Sequence, residues 1–562
     1  MTTLSRGQQA ELRTHTVDNQ PPWRTGLDEY TANVPLVQAV AAFGADHAHD
    51  ALTVTGTRVG TAEFQGDAER ANEHEPVLHA FDRWGHRLDE VEYDPSYHRV
   101  IGAAVADGAH TASWSDPGPG AAVARAATFM LYAQIEPGHA CPVSMTHAAV
   151  ASIADTAVAG TWLPRLYART YDPRLSVPGG KRSALIGMAM TEKQGGSDVR
   201  ANTTVAEHDT GEDYRITGHK WFCSAPMSDA FLVLAQTRRS GRDEGLSCLF
   251  VPRVLPDGTR NVFRIQRLKD KLGNRANASS EIEFDGTSGI LLGEAGRGVP
   301  TIIEMVQRTR LDCVLGTAAG MRQAVAEATW HARHRRAFGA VLADQPAMTA
   351  VLADLALEYE AALLSGLRLA QSFEADARDA DRAFRRLATP VLKYWVCKRG
   401  PHHAYEAMES LGGNGYTEGF PLARRYREQP VMAIWEGSGN VIALDVLRAL
   451  GRDAASAAAL AAELDLTAGE HPILDAHTRR TLTLLTDVQR APDDAAAQAR
   501  RLTEMIALAL QGSLMLRFAP RDAAEAFITA RLGDDRGAQY GTLPRGTDAA
   551  RILRRHESPA AV

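Results

Sequence analysis

The hydrophobic pattern of the chain changes its period twice, and this constrains the fold more than any other feature. From about Val34 to Leu166, apolar residues recur three or four positions apart, which is typical of amphipathic helices. From about Ala184, short apolar runs such as AFLVLAQT and SSEIEFDG alternate with Gly, Asp and Pro, a spacing that predicts an antiparallel sheet or barrel. The helical period returns from Gly298. We therefore predict an α+β protein in which a β region separates two helical regions.

These two changes of period, together with the Ala-rich composition after about Gly451, divide the chain into four predicted domains. We place an N-terminal arm and helical domain at 1–183, a β domain at 184–296, a second helical domain at 297–450 and an Ala-rich extra helical domain at 451–562. The first thirty residues are polar and interrupted by Pro, which predicts an extended arm. This arrangement by itself leaves the function open.

Composition excludes several classes of protein. The hydrophobic share of 45% and the charged share of 23% are ordinary for a globular chain, and the net charge of −7 does not favour a general polyanion-binding surface. The five cysteines are scattered without a CxxC pair, so we predict neither a metal site nor a disulfide framework. The chain lacks an apolar run of about 18 residues and a signal-peptide core, so we expect a cytoplasmic protein without a membrane span.

Four segments carry residue types that suit a bound cofactor. The loop Met188–Asp198 (MAMTEKQGGSD) can offer backbone N–H groups and hydroxyls to an anion or a heterocycle, although an ordinary β-turn would explain it as well. Its spacing fits neither a Rossmann nor a Walker loop. The aromatic pair and serine of GHKWFCS can stack on a flat ring, or simply pack in a core. RRAFG and LGGNGY offer an arginine for phosphate and glycines for close approach, or a solvated arginine and a helix-ending turn.

A fifth segment, IWEGSGN, encloses one acid between apolar residues and a Gly-rich turn. A carboxylate so enclosed would have a raised pKa, and Glu436 could then act as a general base. The alternative is that Glu436 caps the following predicted helix, VIALDVLRAL.

The order and spacing of these segments resemble the acyl-CoA dehydrogenase family of flavoproteins over about residues 40–450. MTEKQGGSDVRANTT, HKWFCSAP, LGGNGY, IWEGSGN and the late YGTLP are similar, more narrowly, to its AidB branch, the alkylation-response subgroup with an added C-terminal helical region. The resemblance implies a fold with an N-terminal helical domain, a middle antiparallel β domain and a C-terminal four-helix domain, followed by the extra helices.

The resemblance also implies an FAD site and a homotetramer built as a dimer of dimers. Phe222 would pack against the flavin, Ser224 would lie near its N5 atom, and Glu436 would remove the α-proton of an acyl thioester while a hydride passes to the flavin. Electrons would then leave to an acceptor protein or to dioxygen. The other implied cofactor residues are Met188, Met190, Thr191, Gly196, Ser197, Gly412, Gly413, Ser438 and Asn440, with Arg335, Phe338 and Gln345 reaching the FAD of a neighbouring subunit.

Three positions depart from the family pattern. Val306–Gln307 replaces the Phe-Asp pair that often precedes Thr-Arg, although Arg310 is retained as a candidate contact for CoA. Glu409 replaces a Gln that faces the dinucleotide, and Trp435 is bulkier than the residue common beside the base. A narrowed acyl channel with a retained base predicts weak or unusual α,β-dehydrogenation.

The branch resemblance implies sequence-independent binding of duplex DNA by the C-terminal region, which the residues support only in part. Residues 451–562 contain 14 Arg, no Lys and 15 acidic residues, a net charge of −1. No helix-turn-helix or zinc-finger signature is present, and Pro492 should interrupt any helix that joins the first two arginine pairs. The candidates are Arg479, Arg480, Arg500, Arg501, Arg551, Arg554 and Arg555, which could equally be solvated helix faces balanced by acids.

Two alternatives to this interpretation remain at this stage. The chain could be an ordinary acyl-CoA dehydrogenase for a short or branched acyl-CoA, whose tail only supports assembly. It could also be a DNA-associated protein in which FAD is structural or screens reactive alkylators.

Overall fold

The computed structural model describes residues 14–557, apart from the side chains of residues 492–494. Residues 1–13 of the predicted arm lie outside the described residues, and the rest of the arm, up to Tyr30, contains no helix or strand. The helices that follow are α1 (Val34–Ala42), α2 (His49–Val59), α3 (Ala62–Glu73), α4 (Pro95–Ala106), α5 (Ala112–Ser115), α6 (Ala121–Ala133), α7 (Ala140–Ile153) and α8 (Ala159–Leu166). The predicted N-terminal helical region is therefore present.

A β-hairpin interrupts these helices, which the helical periodicity did not predict. Its strands are β1 (Val77–Phe81) and β2 (Arg87–Glu92), paired antiparallel, and Gly85 closes the turn with φ +90°. Alternate residues of β1 are exposed and half-buried. Because the segment is rich in charged residues, its period-two pattern is masked and only the turn glycine signals the hairpin.

The β region closes into a barrel. Its strands are β3 (Ile186–Ala189), β4 (Val205–His208), β5 (Asp213–Ser224), β6 (Ala230–Arg239), β7 (Arg242–Pro252), β8 (Arg264–Leu268) and β9 (Ser279–Leu292). The order β6-β4-β5-β9-β7 returns to β6, with β3 on β6 and β8 on β9. Most pairings are antiparallel as predicted, but β3 and β4 both run parallel to β6: β3 pairs with residues 230–233 of β6, and the loop after β3 leads on to β4, which pairs with residues 236–238.

The second helical region begins with a helix that runs from Gly298 to His334. Its elements are α9 (Gly298–His334), the short strands β10 (Arg336–Ala337) and β11 (Ala340–Val341), α10 (Pro346–Gln371), α11 (Asp379–Glu409), α12 (Pro421–Ile434) and α13 (Gly439–Arg452). Helices α9, α10 and α11 pack against one another, and α12 packs on α9 and α11. None of the helices within residues 14–557 is both long and apolar enough to cross a membrane.

The last helices pack on this bundle and share charged groups with it. They are α14 (Ala454–Asp465), α15 (Pro472–Arg490), α16 (Pro492–Phe518), α17 (Arg521–Leu532) and α18 (Ala549–Arg554), and Pro492 begins a new helix as predicted. Arg531 pairs with the buried Asp354 and Glu358 of α10 at 2.6 and 3.0 Å, and Arg555 pairs with the buried Glu360 at 2.7 Å. The arginines beside it hold the pKa of Glu358 down at about 2. The C-terminal helices thus neutralise acids inside the bundle.

Candidate functional site

The Glu436 turn joins α12 to α13 and has an unusual backbone. Glu436 has φ +57° and Gly437 has φ +108°, a region that non-Gly residues adopt at a cost of about 1–2 kcal/mol. Two cations from neighbouring helices hold the turn. Arg310 Nε of α9 donates to the Glu436 carbonyl at 3.1 Å, and Lys393 Nζ of α11 donates to the Gly437 carbonyl at 2.5 Å. Strain held by long-range contacts is typical of a functional turn.

The Glu436 side chain sits in an environment that strengthens it as a base. Loss of solvent around the carboxyl raises its pKa, and this effect is opposed by a hydrogen bond from Thr309 and by the charges of Arg310 and Lys393. The Thr309 hydroxyl donates to Glu436 Oε2 at 2.8 Å. The N-cap of α13 is Ser438, so Glu436 does not cap that helix. The arrangement gives one oriented carboxyl that can accept a proton.

Arg310, the predicted CoA contact, is directed inward. Its Nη1 atom forms an ion pair with Asp445 Oδ2 at 2.6 Å, and each side chain is 9% exposed. Asp445 also lies 3.4 Å from Arg386 and 3.6 Å from Arg448. Arg310 therefore holds the Glu436 turn, and its contact with CoA stays a prediction.

The end of β5 presents the predicted aromatic and hydroxyl residues together. Phe222 is 51% exposed, and Lys269 Nζ lies 4.8 Å from the centre of its ring. The Ser224 and Ser279 hydroxyl oxygens are 3.0 Å apart. The thiol of Cys141, at the start of α7, lies beside Ser224 and within range of the Glu436 charge, and burial raises its pKa to about 11.

The loop after β3 is held by a buried ion pair. Glu192 Oε1 lies 2.8 Å from Lys220 Nζ, and the Glu192 carboxylate also accepts the backbone N–H groups of Thr203 and Thr204. The lysine holds the pKa of Glu192 well below its usual range, and burial lowers the pKa of Lys220 to about 8. The predicted cofactor residues of this loop range from half-buried to exposed around that anchor: Met188, Met190, Thr191, Gly196 and Ser197.

A second group of predicted residues lies on and beside the β10–β11 hairpin. Phe338 and Gly339 form its tip with φ +52° and +79°, the pattern of a type I′ turn, and Phe338 is 97% exposed. Gln345 Nε2 donates to the Ala337 carbonyl at 2.9 Å, and Arg335 Nη1 donates to the Asn19 carbonyl at 2.8 Å. Within residues 14–557, no hydrogen bond or ion pair links this hairpin to the Glu436 turn.

The two predicted cradle glycines follow α11. Gly412 has φ +61°, and a Cβ added at Gly412 or Gly413 would meet open space. The nearby Asn414 Nδ2 lies 3.5 Å from Gln20 of the arm. Ser438 and Asn440 are exposed beside the Glu436 turn. These positions leave room for a ligand next to backbone groups.

The predicted DNA-binding arginines fall into two groups. Arg551 pairs with Asp522 at 2.8 Å, Arg555 pairs with Glu360, and Arg500 Nε donates to the Tyr394 hydroxyl at 3.0 Å. The others are exposed, and none of them forms an ion pair with a residue between 14 and 557: Arg479, Arg480, Arg501 and Arg554. Among the candidates, only these four arginines carry a positive charge that no ion pair or side-chain hydrogen bond engages within residues 14–557.

Sequence reasoning missed the residues that support the site from a distance. Thr309 and Lys393 hold the Glu436 turn, and Lys271 and Cys141 lie behind and beside Ser224. The only signal for Thr309 was its position next to Arg310. Across residues 14–557, no group of His, Cys, Asp and Glu is placed to hold a metal ion.

Comparisons with known proteins agree with this architecture. Three protein-family models match: the adaptive response protein AidB N-terminal domain over residues 19–173, the acyl-CoA dehydrogenase middle domain over 187–287 and the acyl-CoA dehydrogenase C-terminal domain over 296–451. The AidB protein of Escherichia coli (strain K12) is 44% identical over 528 residues, which cover 93% of this chain and 95% of the relative. The chain belongs to the acyl-CoA dehydrogenase family, in its AidB-like branch.

Other members of the family are more distant. Acyl-CoA dehydrogenase family member 11 of Caenorhabditis elegans is 30% identical over 71% of this chain and 66% of its own length. The crystal structure of Caenorhabditis elegans ACDH-11 in complex with C11-CoA matches with a TM-score of 0.84 and 25% identity over 94% of both chains. An acyl-CoA dehydrogenase from Bacillus anthracis complexed with FAD matches with a TM-score of 0.66, 93% and 86% coverage and 16% identity, a likeness of fold alone. The predicted family, branch and fold are confirmed.

Proposed function

We propose that the protein is an FAD-dependent acyl-CoA dehydrogenase of the AidB-like branch, with Glu436 as the base that takes the α-proton of an acyl thioester. The observation that carries the proposal is the Glu436 turn. Its carboxyl is oriented by Thr309 at 2.8 Å, loss of solvent raises its pKa, and Arg310 and Lys393 fix its backbone. Family membership supports the reaction class, oxidation of a CH–CH bond.

The residues present fit FAD. Phe222 is an exposed aromatic beside a hydroxyl at Ser224, and Gly412 and Gly413 have open space where a side chain would stand. When bound, FAD would supply the acceptor for the hydride that leaves the β-carbon. We assign to its binding, as a proposal, Met188, Met190, Thr191, Gly196, Ser197, Phe222, Ser224, Gly412, Gly413, Ser438 and Asn440.

The chain's own groups would handle the proton. Glu436 accepts it at a carboxylate oxygen, Thr309 keeps that oxygen in place, and Arg310 and Lys393 prevent the turn from relaxing. Electrons would leave to an acceptor protein or to dioxygen.

Trp435 supports a further part of the proposal, that dehydrogenation is weak or unusual. Its ring packs near Cys313, Cys397 and Met432, and its Nε1 atom is buried without a hydrogen-bond partner among the described residues. A large ring next to Glu436 would narrow the space for an acyl chain. Rapid turnover of ordinary straight-chain acyl-CoAs would contradict this part.

The β10–β11 hairpin supports a proposed homotetramer. The ring of Phe338, 97% exposed at the tip of the turn, is available to pack against another subunit. We propose that Phe338, with Arg335 and Gln345, reaches the FAD of a neighbouring subunit. Sedimentation of the full chain tests the assembly.

Binding of duplex DNA in an alkylation response is the least supported part of the proposal. In its favour are the AidB relationship and the exposed Arg479, Arg480, Arg501 and Arg554, for which residues 14–557 provide no ion-pair partner. Against it stand the acid-balanced C-terminal region and the ion pairs that already engage Arg551 and Arg555. The alternatives are an ordinary dehydrogenase for a short or branched acyl-CoA, and a DNA-associated protein whose FAD is mainly structural.

Two experiments separate these possibilities. Acyl-CoA should bleach the flavin of the full protein, and Glu436→Gln should abolish the bleaching while FAD stays bound; bleaching that survives the substitution would refute the assignment of Glu436.

Duplex DNA titration at two salt concentrations tests the second activity. If Arg479 and Arg480 contact phosphates, the double change R479Q/R480Q should lower the slope of log affinity against log salt by about 2. The control R83Q/R182Q removes two exposed charges elsewhere and should leave it unchanged. Equal slopes in all three proteins would refute DNA contact by this pair.

A further inference from the structure

A half-buried lysine lies behind Ser224, and the chemistry proposed above makes no use of it. Lys271 stands in the loop between β8 and β9. Its Nζ atom donates to Ser279 Oγ at 3.2 Å and to the Asn277 carbonyl, and Ser279 Oγ lies 3.0 Å from Ser224 Oγ. Two hydrogen bonds thus connect the ammonium group to the Ser224 hydroxyl.

The ammonium group of Lys271 has different partners from those of the buried lysines Lys181 and Lys220 near the barrel. Lys181 and Lys220 each pair with a carboxylate, at 2.5 and 2.8 Å. The ammonium of Lys271 is bonded instead to a hydroxyl and a carbonyl, and no residue between 14 and 557 forms an ion pair with it. Burial lowers its pKa to about 8. A cation that is partly withdrawn from water and has no paired anion is destabilising unless something else requires it.

The acids that bear on Lys271 lie beyond ion-pair distance. They are Glu75, Glu136 and Glu428, and the Cys141 thiol also bears on its charge. Glu428 is itself engaged by the Asn274 backbone N–H at 2.8 Å, and burial raises its pKa to about 7. None of these groups takes the place of a counter-ion.

The Asn274–Asn277 part of this loop is also held by bonds that do not involve Lys271. Asn277 Nδ2 donates to Asn274 Oδ1 at 3.2 Å, and the Asn274–Glu428 bond ties the loop to α12. Lys269 has a separate partner, Glu281, at 2.7 Å. The informative feature is the direction of the Lys271 side chain, because its ammonium group points toward the Ser279–Ser224 hydroxyl pair.

We propose that Lys271 is a positioning residue that polarises the Ser279–Ser224 hydroxyl pair toward the electron-accepting edge of the bound cofactor. The ammonium occupies an acceptor site on Ser279, which leaves the Ser279 hydroxyl free to donate to Ser224 and the Ser224 hydroxyl free to donate onward. The substrate loses a proton to Glu436 and a hydride to the cofactor, so one negative charge arrives near Ser224. The charge of Lys271 is then compensated. This inference rests on the proposed function, because Ser224 must lie beside the flavin.

The test is the midpoint potential of the bound flavin in the full-length holoenzyme, measured by equilibration with a reference dye. For K271M we expect the ratio of reduced to oxidised flavin at a fixed potential to fall about tenfold, which equals about 30 mV for a two-electron couple. K271R keeps the charge and should restore most of the ratio. R267Q is the matched control, since Arg267 is exposed and paired with Glu281 on the adjoining strand, and it should leave the potential unchanged.

A second variant removes the connection without touching the lysine. S279A keeps Lys271 but breaks the path to Ser224, and it should reproduce part of the shift. An unchanged potential in K271M or in S279A, with FAD bound as in the unaltered protein, overturns the inference and leaves the proposed function intact. If the unaltered protein binds no FAD, the proposed function fails and the inference fails with it. If K271M loses FAD and S279A does not, the midpoint potential of the flavin in S279A decides whether the inference holds.

Discussion

Replacing Thr309 by Val tests the environment of Glu436 most directly. The change removes the hydroxyl that donates to Glu436 Oε2 at 2.8 Å and keeps the side-chain volume nearly constant. A hydrogen bond to a charged group contributes about 1.5–3 kcal/mol, and one pKa unit corresponds to about 1.4 kcal/mol. Because the bond favours the ionised carboxylate, its loss should raise the pKa of Glu436 further, by roughly 1–2 units.

The sign of this shift determines the assay. The base works in its ionised form, so kcat/KM for acyl-CoA-dependent flavin reduction should rise with pH through the Glu436 pKa, and this acid limb should move to higher pH in T309V. At pH well above the limb, the two proteins should approach the same rate. T309S keeps the hydroxyl and should keep the original limb. A limb that stays in place or moves to lower pH in T309V would refute the reasoning.

Three further predictions follow from contacts described above. R531M removes the ion pair of the buried Asp354, while Glu358 keeps its pair with Arg399, and chemical denaturation should show a loss of about 3–5 kcal/mol. Because Arg399 and Arg531 together depress the pKa of Glu358 to about 2, the stabilising effect of Glu358 should be complete above its ordinary pKa and disappear as the pH falls toward 2. G437A puts a Cβ 2.9 Å from Ile442 Cδ1 at φ +108°, so thermal melting should show a loss of at least about 1 kcal/mol and flavin bleaching should slow; an unchanged rate would contradict the role of the turn. F338S should dissociate the assembly in sedimentation without lowering the content of secondary structure. A tetramer that stays intact would contradict the contact between this hairpin and a neighbouring subunit.

The sequence predicted the parts of the fold that depend on local pattern. The two changes of period located the helices and the barrel strands, and the proline located the break at Pro492, because amphipathicity and proline act within a few residues. The β1–β2 hairpin escaped this reasoning because its alternation is hidden among charged residues. The parallel pairing of β3 and β4 with β6 could not be derived either, since it depends on the path of a loop.

The candidate site shows the same division. The enclosed carboxyl of Glu436 and its glycine turn form a short motif, and they could be singled out from the chain alone. The groups that hold the turn are 126 residues away at Arg310 and 44 residues away at Lys393. Nothing in the sequence around Lys271 distinguishes it from other lysines, because the contacts that place it behind Ser224 form only in the folded barrel. The inward direction of Arg310 could not be predicted either, because its partner Asp445 is distant in sequence.

The charge pairs between the last helices and the bundle bear on the timing of synthesis. Asp354 precedes Arg531 by 177 residues, and Glu360 precedes Arg555 by 195. At about 5–20 residues per second, a ribosome makes these acids roughly 10–40 s before it makes the arginines that neutralise them. Until then, helix α10 carries carboxylates that resist burial, so the bundle should close around it only when the C-terminus has emerged. In a nascent chain of this protein, the packing of the bundle around α10 would therefore be delayed until the C-terminal helices are made.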